Sequence, residues 1–441
     1  MGFVEWVLCV KLRFNANLLD PRILILELSR LVQTIKESPT LAVTAHAGKL
    51  KAEGKDIIGL GAGEPDFDTP QHIKDAAKKA IDAGFTKYTP VAGIPGLKKA
   101  IVAKFKNENG LDYTEKEVIV GAGGKQCIFN LALAVLNPGD EVIVAAPYWV
   151  SYADIALVAG AKPVVIQCGI EQGFKLLPEQ LEAAITPKTK LFMINSPSNP
   201  TGTVYSLAEL KALGEVLKRH PHVLVATDDM YEHVNLTGDK FYNILNATPE
   251  LKPRCVVLNG VSKAYSMTGW RIGYAAGPEN IIKAMEILQS QSTSNPTSIS
   301  QVAAQAALEG PQDCITPMVE AFIKRHDYVV ARFNQMPGIK CLKAGGAFYA
   351  FPDAREAIAK LHKAGKISEA TDMAFSEYLL ESVGVAVVPG SAFGTEGYFR
   401  ISFATSMDNL RNALDRIASA LVYGRSSLFV AAEQAFNLIY G

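Results

Sequence analysis

Between Asp56 and Pro278 the chain alternates short β-branched runs with segments of helical period, and this alternation limits the possible folds more than any other feature. Strand-like runs fall at 118–121, 141–145, 162–167, 190–195, 223–227, 255–259 and 271–275. Several are separated by amphipathic stretches such as 178–185 and 207–218, whose apolar positions recur near helical spacing. Pro178 suits the first turn of such a helix, where its missing N–H costs nothing. The pattern predicts an α/β layer structure around a largely parallel sheet. In such folds ligands gather at the carboxyl ends of the strands.

Beyond Pro311 a long helical segment gives way to short strands near 345–351, 385–388 and 398–403, then to a last helix ending near Val422. This change marks a second, smaller α/β domain. The expected division is an N-terminal extension over 1–25, an arm and part of the small domain over 26–70, and a large domain over 71–311. The rest of the small domain spans 312–422, and a C-terminal extension spans 423–441.

Hydrophobic residues make up 49% of the chain and charged residues 20%, enough to bury a sizeable core. Lys plus Arg equals Asp plus Glu at 44 each, so no net charge points to nucleic acid or an anionic membrane. The six cysteines form no C-x-x-C pair and the seven histidines no H-x-x-x-H pair, which argues for reduced thiols and against a metal site. Residues 1–10 are mostly apolar, but Glu5 interrupts them and no small-residue cleavage site follows. No run approaches the ~20 apolar residues of a membrane helix. A cytoplasmic enzyme without a metal is the expectation.

The chemistry-bearing motifs follow the strand-like runs. Lys263 stands in Ser262-Lys263-Ala264-Tyr265-Ser266-Met267-Thr268-Gly269-Trp270-Arg271, just past the 255–259 strand. A surface charge is the common role of a loop lysine. An imine-forming lysine needs a desolvated pocket that keeps part of it neutral, and an arginine eight residues on is a natural partner for a phosphate. Asn199 lies in a Pro- and Asn-rich turn after the 190–195 strand. Asp228 ends the 223–227 strand, and although a carboxylate there can be a plain helix cap, it can also keep a pyridine nitrogen protonated. Gly123 and Gly124 open a helical segment after the 118–121 strand, a place where backbone N–H groups bind anions.

Taken in order, these motifs resemble the class I aminotransferases that depend on pyridoxal 5′-phosphate (PLP), and within them the bacterial-type aspartate aminotransferase branch. The likeness covers about 400 residues, from the 31–40 arm through Gly61-Ala62-Gly63-Glu64-Pro65 to Phe399-Arg400-Ile401-Ser402-Phe403. It implies the fold type I architecture of PLP-dependent transferases, aspartate-aminotransferase-like, with a large PLP-binding domain and a smaller α/β domain. It implies that Lys263 holds the cofactor as an imine and moves the proton at the substrate Cα. Asp228 would pair with the ring nitrogen, Tyr231 and Asn199 with the phenolic oxygen, and Trp149 would stack on the ring. Gly123, Gly124 and Arg271 would hold the phosphate, with Tyr88 reaching it from the other subunit of a homodimer. Many relatives place a phosphate-binding serine two or three residues before the lysine; here those positions are Gly260 and Val261, and the serine is Ser262.

Arg400, a charge among apolar strand neighbours, is costly to bury unless paired. A structural ion pair is its plain role, whereas the resemblance has it clamp the substrate α-carboxylate with Gly63 and Asn199. A second cation is needed to select acidic side chains. The resemblance gives that place to Lys125, assisted by Ser38 and Thr40, with Lys36 nearby; a lysine at a helix start opposes the helix dipole and so hints at a function. The implied reaction converts aspartate and 2-oxoglutarate to oxaloacetate and glutamate. Aromatic, kynurenine or prephenate aminotransferases and C–S β-lyases share the fold and remain alternatives.

Overall fold

The computed structural model describes residues 27–35 and 39–422. Residues 27–35 belong to a separate unit, with a short helix at Arg30–Thr34 whose Val32 N–H donates to the Ser29 hydroxyl. The expected extensions at 1–25 and 423–441, together with Lys36 and Ser38, lie outside the described residues. Thr40 belongs to the helix Pro39–Ala52, but its side chain lies outside them too.

Twelve strands form in the described residues. They are β1 (Ile58–Gly59), β2 (Val118–Gly121), β3 (Glu141–Ala146), β4 (Lys162–Gln167), β5 (Thr189–Asn195) and β6 (Leu224–Asp228). After them come β7 (Cys255–Gly260), β8 (Gly273–Ala276), β9 (Tyr349–Ala350), β10 (Val385–Ala386), β11 (Val388–Pro389) and β12 (Phe399–Ser402). Seven make the main sheet in the order β2-β8-β7-β6-β5-β3-β4. All pairings are parallel except those of β8, which runs antiparallel to β2 and β7. The seven strand-like runs of the sequence are these seven strands. In β5 and β7 successive residues enter different cores: Phe192 and Val257 face one side, Met193 and Leu258 the other. Helices such as Leu207–Arg219 and Ser298–Glu309 cover the first face, and Gly124–Val135 and Glu279–Ser290 cover the second. A sheet buried on both faces explains why these strands read as continuous apolar runs.

The run at 271–275 needs a correction. β8 begins only at Gly273, and Arg271 has left-handed backbone with φ +57°. Gly273 pairs with Gly121 on one side and Gly260 on the other, so three glycines stand level across β2, β8 and β7. A Cβ on Gly273 would lie 2.2 Å from the Gly124 nitrogen. The glycine row therefore lets the start of the Gly124–Val135 helix settle directly on the sheet end.

The remaining strands assemble beside the C-terminal helices. β1 pairs in parallel with β10, joining the two ends of the described chain. β12 lies between β11 and β9, antiparallel to both. The helices Thr316–Phe333, Asp372–Val383 and Met407–Ala420 pack here, with Phe333, Phe375 and Phe399 in one aromatic cluster. Among the described residues no helix is long and apolar enough to cross a membrane.

The glycine row yields a stability prediction. Gly273→Ala should destabilise the fold by about 1–3 kcal/mol, because the obstacle is backbone that cannot swing away. Gly48→Ala, inside the Pro39–Ala52 helix with nothing within 4 Å of the added carbon, should be neutral or stabilising. Thermal denaturation of the two variants beside the parent checks both.

Candidate active site

β2, β5, β6 and β7 all present their carboxyl ends to one cavity of about 440 Å³. Lys263 enters it from the turn after β7. Its ammonium donates to the Gly63 carbonyl, and the rings of Tyr231 and Phe348 each lie 5.8 Å away. Burial, reinforced by the positive charge of Arg400, pushes its pKa down to about 8. A lysine so placed is partly neutral near physiological pH and can act as a nucleophile.

Asp228 closes β6, where strand register sets it beside Asn195 of β5. Its Oδ2 accepts from the Tyr152 hydroxyl at 2.5 Å and its Oδ1 from the Met230 N–H at 3.2 Å. Burial raises the pKa of this carboxyl, while these two donors oppose the rise. Asn195 donates to the Asp228 carbonyl at 2.8 Å and accepts from the Asn199 N–H at 2.8 Å. Trp149 packs edge-to-face on Tyr152 at 5.4 Å, and the Lys125 ammonium lies 5.0 Å from the Trp149 ring. Burial, with help from Arg271, lowers the Lys125 pKa.

An anion cradle lies at the same end of the sheet. Gly123 has φ +88° and precedes the first turn of Gly124–Val135, whose leading N–H groups have no intrahelical acceptor. A Cβ at Gly123 would sit 2.2 Å from an Arg271 nitrogen, so only glycine admits the guanidinium there. Arg271 donates to the carbonyls of Thr268 at 2.9 Å and Ala122 at 3.3 Å, and no carboxylate pairs with it among the described residues. Ser262, buried, lines the cavity beside it.

Arg400 enters from β12 and is 2% exposed. It donates to the Asn199 side-chain oxygen at 2.8 Å and the Gly61 carbonyl at 2.7 Å, while its Nε is buried without a partner. The guanidinium lies 4.4 Å from the Tyr349 ring and 4.9 Å from that of Phe393. The structural ion pair considered for this residue is absent among the described residues, and burial lowers its pKa.

Ten of the residues singled out in the sequence thus line one cavity: Gly63, Gly124, Lys125, Trp149, Asn199, Asp228, Tyr231, Lys263, Arg271 and Arg400. Gly123 sits against Arg271 at its edge, and Tyr88 stands away from it, 93% exposed. Sequence reasoning missed Tyr152, Asn195 and Tyr349. Asn195 did stand at a strand end, but the two tyrosines lie in apolar runs and carry no local signal. The donor set fits PLP: a lysine biased toward neutrality, a buried carboxylate for a ring nitrogen, an anion cradle, and a buried cation lacking a carboxylate.

The fold is that of the PLP-dependent transferases of fold type I. Residues 55–417 match the family model for aminotransferase class I and II. An aspartate/prephenate aminotransferase of Nitrosomonas europaea is 63% identical over 90% of this chain and 100% of its own. The crystal structure of the aspartate aminotransferase from Rhizobium meliloti superposes with a TM-score of 0.85 at 50% identity, covering 90% of this chain and 99% of its own. The aspartate aminotransferase from Thermus thermophilus with maleate gives 0.84 at 43% identity, covering 90% and 100%. The chain belongs to the class I and II aminotransferases and is an aminotransferase.

Burying Lys263 has a thermodynamic consequence. Its folded pKa of about 8 lies below the ordinary 10.5, so between these values the unfolded chain holds the extra proton. Stability of the cofactor-free protein should therefore rise with pH across that window, and below pH 8 the full penalty stays in place. Lys263→Met should remove this rise and stabilise the cofactor-free protein at pH 7 by about 3–4 kcal/mol, at ~1.4 kcal/mol per pKa unit. Denaturant titrations of both proteins at pH 7 and pH 10 measure the difference.

Proposed function

We propose that this protein is a PLP-dependent aspartate aminotransferase. It exchanges the amino group of L-aspartate with 2-oxoglutarate by a ping-pong route, giving oxaloacetate and L-glutamate. The observation that carries the reading is Arg400, a buried guanidinium with an unpartnered Nε and, among the described residues, no carboxylate of its own, in the same cavity as Lys263 and Asp228. A substrate α-carboxylate supplies the missing anion as a bidentate pair.

When bound in this cavity, PLP would supply an electron sink for charge developing at the substrate Cα. Lys263 anchors the cofactor and then moves the proton at that carbon. Asp228 would pair with the ring nitrogen, Tyr231 and Asn199 with the phenolic oxygen, and Trp149 would stack on the ring. Gly123, Gly124, Ser262 and Arg271 would hold the phosphate. Tyr88, 93% exposed in the single chain, serves the phosphate site of a second subunit, so the working form is a homodimer; the scattered cysteines suit a cytoplasmic enzyme. The seven-stranded sheet within 71–311 forms the cofactor domain, and the region over 312–422 that carries Arg400 forms the small domain.

Lys125 meets the distal carboxylate, aided by the arm that holds Ser38 and Thr40. The names of the relatives support aspartate, and the maleate in the Thermus thermophilus structure is itself a dicarboxylate. Those names also favour prephenate as a second substrate. Prephenate carries two carboxylates, so the same pair of cations would serve it.

Two measurements test the reading. Protein reconstituted with PLP should absorb near ~360–430 nm and lose that band to a shorter wavelength on adding aspartate, while Lys263→Ala should not turn over. A colourless protein would sink the proposal. Lys125→Ala should lower kcat/KM for aspartate about 10- to 100-fold, as expected for loss of one charged hydrogen bond, and leave alanine or phenylalanine nearly unaffected. An equal loss for all three substrates would remove Lys125 from specificity.

A further inference from the structure

Tyr349 touches both halves of the site, and the proposed function assigns it nothing. It lies in β9, 1% exposed, beside the β12 strand that carries Arg400. Its hydroxyl is 2.8 Å from that of Tyr231, and either oxygen can donate. Its ring lies 4.4 Å from the Arg400 guanidinium. A Cβ at position 63 would come within 2.8 Å of the Tyr349 hydroxyl, so Gly63 leaves the space this hydroxyl occupies. Among the described residues that hydroxyl has no other hydrogen-bond partner.

Two hydroxyls that share one hydrogen bond leave one hydrogen to be directed elsewhere. Burial raises the pKa of both tyrosines, so both stay protonated and the direction of the bond matters. We propose that Tyr349 is a positioning residue: it donates to the Tyr231 oxygen, frees the Tyr231 hydrogen for the cofactor's phenolic oxygen, and supports Arg400 with its ring. This inference rests on the PLP reading above. A hydroxyl that accepts a hydrogen bond is a stronger donor in turn, so Tyr349 strengthens a contact it does not itself make. Through its ring, the same side chain holds the cation that receives the substrate. The cofactor-facing and substrate-facing ends of the cavity thereby share one support.

The two roles separate by substitution. Tyr349→Phe keeps the ring and loses the hydroxyl. The pKa at which the bound cofactor's visible absorbance titrates should rise by about 0.5–1 unit and kcat should fall about 3- to 10-fold, the worth of one neutral hydrogen bond. KM for aspartate should stay within about twofold. Tyr349→Leu also removes the ring and should raise KM by roughly 5- to 30-fold, as for a desolvated cation–π contact. If Tyr349 acts through Tyr231, then Tyr231→Phe/Tyr349→Phe should match Tyr231→Phe alone in titration and kcat, and this comparison is independent of the Leu variant's folding.

An unchanged titration and kcat in Tyr349→Phe would overturn the hydroxyl role, and losses that add in the double variant would overturn action through Tyr231. Equal KM in the Phe and Leu variants would overturn support of Arg400. A parent protein that binds no PLP would show instead that the underlying cofactor reading has failed, and this inference with it.

Discussion

A guanidinium almost wholly withdrawn from water lies where the main sheet and the smaller strands meet. Among the described residues Arg400 has no carboxylate partner, and a charge buried without one is costly. The fold offsets this with fixed dipoles and π-faces: the Asn199 side chain, the Gly61 carbonyl, and the rings of Tyr349 and Phe393. These come from a turn after β5, the chain after β1, β9, and the turn before β12. All four converge on the charge, so the small strands and the turn after β5 meet at this one side chain. What they leave unsatisfied is the buried Nε.

The rest of the cavity is tuned by the same low-dielectric surroundings acting on groups of opposite sign. Burial drives Lys263 toward its neutral form, and Arg400 drives it further. Burial also pushes the Asp228 carboxyl upward, while Tyr152 and the Met230 N–H hold it back. Lys263 is thus partly released from its charge, and hydrogen bonds help the Asp228 carboxylate retain its own. A strand end is suited to this work, because its backbone is anchored by the sheet while its side chain reaches the cavity.

Much of the scaffold was legible in the residues. Periodicity located the seven strands of the main sheet to within about two residues, because burial on both faces forces near-continuous apolar runs. Lys263, Asp228 and Asn199 stood out since each follows such a run among turn-forming residues. The exception at 271–275 is instructive. The apolar character of Ile272 extended the strand on paper, whereas β8 begins only at Gly273, where a helix seats closely, and Arg271 has left-handed backbone. Tyr152 and Tyr349 were not legible, because an aromatic residue in an apolar run reads as core whether or not its hydroxyl has work to do.

The sequence by itself determined the order of elements, the glycines that permit close approach, and the family, since these are encoded in local pattern and spacing. Only the tertiary structure decided which groups meet. Arg400 reaches a carbonyl 339 positions away, Tyr231 pairs with a hydroxyl 118 positions away, and Asn195 faces Asp228 through the β5–β6 register. Such contacts arise when packed layers bring distant segments together. They leave no periodic trace in the chain, because hydrogen bonds and charge–ring contacts depend on positions in space that local spacing does not specify.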